Sequence, residues 1–191
     1  MEDDATGFDD LFTRANQRHA FRRYLEGSLV PAERHETLTA LANTEPLVGA
    51  QRPEVQALQG FLSESTWDAD RVNARRIERL CADPCTAPHG QGVLVIDEQG
   101  DRKGGHQTAH SGKQDLANLG KIDTGVVSVT SLFADAAVYY PLPVLPSTPA
   151  HHVAAGAADA GFKTKLVLAV EVVDAARQAR IPFRAVVADW F

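Results

Sequence analysis

Two short apolar runs, each ending in an aspartate, restrict what this chain can fold into more than any other feature. "VLVID" occupies residues 93–97 and "AVVAD" residues 185–189. Runs this short and this apolar suit buried strands rather than helices, which need ten or more residues to pay back their ordering. A strand driven through a core with an acid at its tip has two explanations. The acid can end the strand as a turn former or helix cap. Alternatively the strand is a rigid mount for a carboxylate. Spacing alone leaves both open.

The rest of the chain divides by texture. Residues 1–10, "MEDDATGFDD", form an acidic leader, and residues 11–82 read as a helical domain. Phe8, Leu11, Phe12, Ala15, Phe21, Leu25 and Leu29 recur at roughly helical spacing, and Pro31 and Pro46 break the pattern into segments. Val55, Leu58, Phe61 and Leu62 make a second stripe, and Asp68 stands where a cap would open a third helix. Arg71, Arg75, Arg76 and Arg79 on that helix read either as a solvated, ion-paired face or as phosphate contacts. Residues 83–92 form a Pro- and Gly-rich linker. Cys81, Cys85 and His89 fall at four-residue steps across it, but a fourth zinc ligand is missing and Pro84 and Pro88 interrupt any helix.

From residue 93 the reading is of strands. Val93–Glu98 comes first, then a long polar loop, then Val126–Ala134 and Ala137–Leu145 as a hairpin. Pro141 and Pro143 suggest that the last of these ends at, or lies on, a sheet edge. Residues 163–182 read as a helix with Leu166, Ala169, Val170, Val173 and Ala176 on one side, and Phe183–Asp189 as a short buried strand. The order strand, strand, strand, helix, strand predicts an α/β, ribonuclease H-like mixed sheet. Three antiparallel strands are followed by a right-handed crossover that sets the last strand parallel to the first. Asp97 and Asp189 then share one end of the sheet. Two such carboxylates repel unless a cation lies between them. Oxygen ligands without His or Cys suit Mg²⁺ or Mn²⁺, and a pair of such ions about 4 Å apart serves phosphodiester chemistry. Alternation turns Glu98 away from Asp97, toward a supporting or solvent-facing role.

Composition narrows the class. No run of eighteen apolar residues exists to span a bilayer, and the acidic N-terminus has no signal-peptide core. Two cysteines make no disulfide scaffold, so a reducing cytoplasm is expected. Net charge is −6, but five acids sit in residues 1–10, leaving 19 bases against 20 acids elsewhere. Near-neutrality permits local basic patches without arguing for them.

Several stretches carry a resemblance: "FLSESTWD" (61–68), "VLVIDEQGDRKGG" (93–105), "NLGKIDTGVVSVTSLFAD" (118–135), "YYPLPVLPSTPAHH" (139–152) and "IPFRAVVADWF" (181–191). Together they resemble DDE-superfamily transposases of bacterial insertion sequences, in the family numbered seven hundred and one, of actinobacterial type. The resemblance implies that Asp97 is the first acid of the family's triad and Asp189 the second, with two Mg²⁺ or Mn²⁺ ions in the complete enzyme. The triad's third acid, a Glu on a later helix, has no counterpart before Phe191, and Trp190 stands where a smaller residue is commoner. The chain therefore reads as the N-terminal portion of such a transposase, with the catalytic sheet incomplete at its C-terminus and activity weak or absent. The implied partners are DNA, at the element's terminal repeats and at target sites, and a second copy in a homodimer. Lys103, Lys113 and Lys121, with Arg71 and Arg75, are the expected DNA contacts, and Gly104, Gly105 and Gly112 would let the polar loop approach a duplex. His106, His110, His151 and His152 read as surface or hydrogen-bonding residues. The rival reading is a non-catalytic DNA-binding or regulatory remnant. A phosphotransferase on a related sheet, or a poorly folding gene remnant, stand further off.

Overall fold

A computed structural model describes residues 2–29, 37–43, 52–104, 108–116 and 119–189. Pro31, Pro46, Gly105, His106, Asn118 and Trp190 fall outside these residues. The chain forms two compact units, residues 1–76 and 77–191.

The first unit is helical: α1 (Glu2–Thr6), a 3-10 turn (Asp9–Leu11), α2 (Ala15–Leu29), α3 (Leu38–Leu41), α4 (Pro53–Ser63) and the first half of α5 (Ala69–Ala82). Local chemistry sets the helix starts. Thr37 caps α3 by accepting from the Ala40 amide, and Pro53 opens α4, where a missing N–H costs nothing. Asp68 caps α5 by accepting from the Arg71 amide at 3.0 Å. Phe8, Phe12, Phe21 and Phe61 form an aromatic core, with Trp67 stacked on Phe61 at 5.2 Å and donating its indole N–H to the Phe61 carbonyl. Gln17 is buried but satisfied: it donates to Ser65 Oγ and the Thr66 carbonyl and accepts from the Arg14 amide. Three stripe assignments fail, because Ala15, Leu29 and Leu62 are exposed.

The second unit is a five-stranded sheet: β1 (Val93–Arg102), β2 (Gly112–Leu116), β3 (Lys121–Ala134), β4 (Tyr139–Ser147) and β5 (Ala185–Ala188), with α6 (Lys165–Gln178) between the last two. The order is β2-β3-β1-β5, with β4 also on β3. The β1–β3, β2–β3 and β3–β4 pairs are antiparallel, and β1–β5 is parallel. This is the ribonuclease H-like arrangement. Much of the expected polar loop is sheet: β1 runs on to Arg102, β2 lies inside the loop, and β3 starts at Lys121. These stretches have almost no apolar alternation, so periodicity could not reveal them. Partnerships along β3 supply their backbone hydrogen bonds instead.

One sheet face carries the core. Leu94 and Ile96 of β1, Val129 and Phe133 of β3, and Tyr140 and Leu142 of β4 pack with Leu168, Val172 and Ala176 of α6. The helix is therefore phased differently from the expected stripe, since Leu166 and Val170 are exposed. Apolar residues stand on almost every side of its first two turns, so spacing could not choose the buried one. Thr164 caps it through the Val167 amide. It ends where Arg180 takes φ +58°, allowing the Ile181 amide to reach the Ala176 carbonyl. β5 is not buried as expected: Val186 and Val187 are about half exposed, because among the described residues the strand pairs with β1 alone. β4 holds Pro141, Pro143 and Pro146 and, among the described residues, pairs only with β3. At the irregularity between Thr130 and Leu132, the buried Ser131 hydroxyl donates to the Pro143 carbonyl.

Candidate functional site

The parallel pairing of β1 and β5 runs from Val93–Ala185 to Ile96–Ala188. The next residues on the two strands are Asp97 and Asp189. They are therefore neighbours across adjacent strands, which lie about 4.8 Å apart in a sheet. Only Asp189 follows the end of its strand: Asp97 is midway along β1, which runs on to Arg102, and is not the strand tip expected. Both are exposed. Leu94 and Ile96 face α6, so Asp97 points to the opposite side, and Thr130 is its cross-strand partner. The Thr130 hydroxyl donates to the Asp97 carbonyl at 3.1 Å. Asp97 Oδ1 accepts from the Glu98 amide at 2.8 Å.

Glu98 has a different environment. It lies on the helix side, with its side chain 14% exposed, and its Oε2 is 2.7 Å from Lys165 Nζ. Lys165 is the first residue of α6. Among the described residues no hydrogen-bond donor in good geometry reaches that buried oxygen, so the ammonium is its compensating charge. Sequence reasoning missed Lys165 entirely. The only available signal was a lysine at a helix start, where a cation is disfavoured by the helix dipole and so needs a partner.

As a donor set, the aspartate pair offers oxygen alone, which fits Mg²⁺ or Mn²⁺. Among the described residues no three His, Cys, Asp or Glu side chains gather around a point that could hold a metal. The cysteine–histidine steps do not form a zinc site: Cys81 and Cys85 are exposed thiols, and His89 Nε2 contacts Asp135 at 2.9 Å.

The basic residues are spread out. Lys121 and Arg102 share Asp123, at 3.2 and 3.1 Å. The Thr124 amide, then Lys121, holds the Asp123 carboxyl below its ordinary value. Lys113 sits opposite Thr124 on β2, and alternation puts it on the same face as Asp97. Lys103 follows β1 and its amide bonds to the Thr124 carbonyl. Among the described residues, neither Lys103 nor Lys113 has an ion-pair partner. Arg71 and Arg75 belong to the first unit. Arg75 makes a two-pronged pair with Asp10, at 2.9 Å on each prong, which holds that carboxyl below its ordinary value. Gly112 is not a flexible loop residue: it is buried in β2, where a Cβ would come within 2.6 Å of the His151 ring. His110 bonds to Thr148, and His152 to the Ser111 carbonyl, as hydrogen-bonding residues. A cleft of about 610 Å³ in the first unit, bordered by Arg14, His19, Arg23 and Glu54, includes neither aspartate.

A ribonuclease H-like sheet with one aspartate on its first strand and another just beyond the parallel strand that follows the crossover helix is the framework of a DDE enzyme. The chain belongs to that family: the profile for DDE superfamily endonucleases matches residues 7–191. It is also 29% identical, over 182 residues, to a protein of Microchaete diplosiphon described as a probable transposase for insertion sequence element IS701. That alignment covers 95% of this chain and 45% of the relative, so the chain spans about half the relative's length. The resemblance to that insertion-sequence family is thereby borne out. No solved structure matches the chain.

Proposed function

We propose that this chain carries part of the catalytic core of an insertion-sequence transposase, which cleaves DNA at the element's ends and joins the freed strand to a target. The observation that supports this most is the β1–β5 register, which makes Asp97 and Asp189 neighbours across adjacent strands. The two carboxylates would hold the divalent cations, Mg²⁺ or Mn²⁺, two of them in the complete enzyme. Bound there, such ions activate a water or a DNA 3′-hydroxyl and offset the charge developing at phosphorus. The chain's own contribution is positional. β1 is anchored through Leu94 and Ile96 in the core, so Asp97 stands on a rigid support. Lys113, on the same face, and Lys103 are placed to meet DNA phosphates. Terminal repeats and target DNA are the partners, a homodimer the working assembly, and the cytoplasm the location. No helix among the described residues is long and apolar enough to cross a membrane.

The test is a supercoiled plasmid incubated with the 191-residue chain and Mn²⁺, beside a titration of Mn²⁺ binding. Binding that disappears in Asp97→Ala and in Asp189→Ala is expected, with nicking weak or absent for want of a third carboxylate. Strong nicking abolished by Asp97→Ala would overturn the expectation of a weak chain. Mn²⁺ binding indifferent to both substitutions, with DNA retarded all the same, would favour the non-catalytic DNA-binding reading.

A further inference from the structure

Asp97 and Glu98 are adjacent acids sent to opposite faces of one strand, and only Asp97 joins the proposed site. The other is a nearly buried carboxylate, and such a group is costly unless paired. Its partner, Lys165, is not on the sheet. It starts α6, the crossover helix that leads to β5 and Asp189. The Lys165 ammonium therefore ties the strand carrying the first aspartate to the element delivering the second. The tie reaches Asp97 itself, because the Glu98 amide donates to Asp97 Oδ1 at 2.8 Å. Fixing the Glu98 side chain fixes the peptide whose N–H orients that carboxylate.

We propose that Glu98 and Lys165 are a positioning pair, holding the Asp97 carboxylate through the Glu98 amide and coupling the first strand to the crossover helix. The proposal rests on the reading of Asp97 and Asp189 as metal ligands. Groups that orient a ligand in this way typically contribute ten- to hundredfold in metal affinity.

The sign of the effect separates positioning from simple field effects. Removing the Lys165 charge leaves the region more negative, so electrostatics alone would strengthen cation binding. Positioning predicts the reverse. The experiment is Mn²⁺ binding to the full chain, read by the electron paramagnetic resonance of free Mn²⁺, with melting followed on each variant. Glu98→Gln and Lys165→Met should each weaken binding about tenfold. Lys165→Arg should retain it, and the charge-swapped Glu98→Lys/Lys165→Glu double variant should recover part of what the singles lose. If Asp97→Ala loses binding while folded Glu98→Gln and Lys165→Met bind like wild type, or Lys165→Met binds more tightly, the positioning role is overturned and the ligand reading stands. If Asp97→Ala leaves binding unchanged, both fall. Should Lys165→Met fail to fold, the swapped variant decides: folded, and no better than Glu98→Gln, it overturns the proposal.

Discussion

At the scale of single residues, environment rather than chemical type separates functional acids from structural ones. Asp135 is a structural one. It caps its own turn, accepting from the Ala137 amide at 2.6 Å and the Val138 amide at 2.8 Å, and it meets His89. The Val138 N–H, then that of Ala137, holds its carboxyl below the ordinary 3.8. A carboxyl depressed on folding stabilises the fold fully above its unfolded value, about pH 4, and the contribution fades as pH falls through the folded value. Urea midpoints should therefore drop as the pH is taken below about 4, and Asp135→Asn should flatten that acid limb while lowering the plateau. Asp68 was legible as a cap because caps are local, set within three residues of chain. Asp97 was legible because an apolar run points at it. Lys165 was not, since its partner lies 67 positions away and no short window contains both.

At the scale of elements, strongly apolar pieces could be read and polar or uniformly apolar pieces could not. β1, β3 and β4 announced themselves, whereas β2, "GKQDL", offers one large apolar residue, Leu116, and exists because β3 is long enough to pair with it. α6 was legible as a helix but not in its rotation. Two substitutions test these elements. Leu94→Ala removes a fully buried side chain between the sheet and α6, and should cost about 2–5 kcal/mol in denaturant unfolding. Arg180 ends α6 in the left-handed conformation at φ +58°, a place that favours glycine. Arg180→Gly should therefore stabilise the protein by roughly 1 kcal/mol, seen as a higher urea midpoint with unchanged slope.

At the scale of the molecule, the two units have separate cores, one built from aromatic rings and the other from aliphatic strands against a helix. The charge of −6 gives no general attraction for nucleic acid, so the proposed DNA contact must come from local lysines. Retardation of duplex DNA should weaken steeply as salt rises. Lys113→Glu should lower affinity by a similar factor on every sequence, as expected of a phosphate contact. The first strand's acid could be found from a local pattern, whereas its companionship with Asp189 was legible only through the order of elements and the right-handed crossover it implies. That companionship also has a counting rule. Side chains along β5 alternate between the two faces of the sheet, so one residue inserted within "AVVA" would send Asp189 to the face opposite Asp97. Two inserted residues would return it to the face of Asp97 but carry it about 7 Å past its neighbour. The last four residues before the second aspartate can thus vary in kind far more freely than in number, although each of them is exposed.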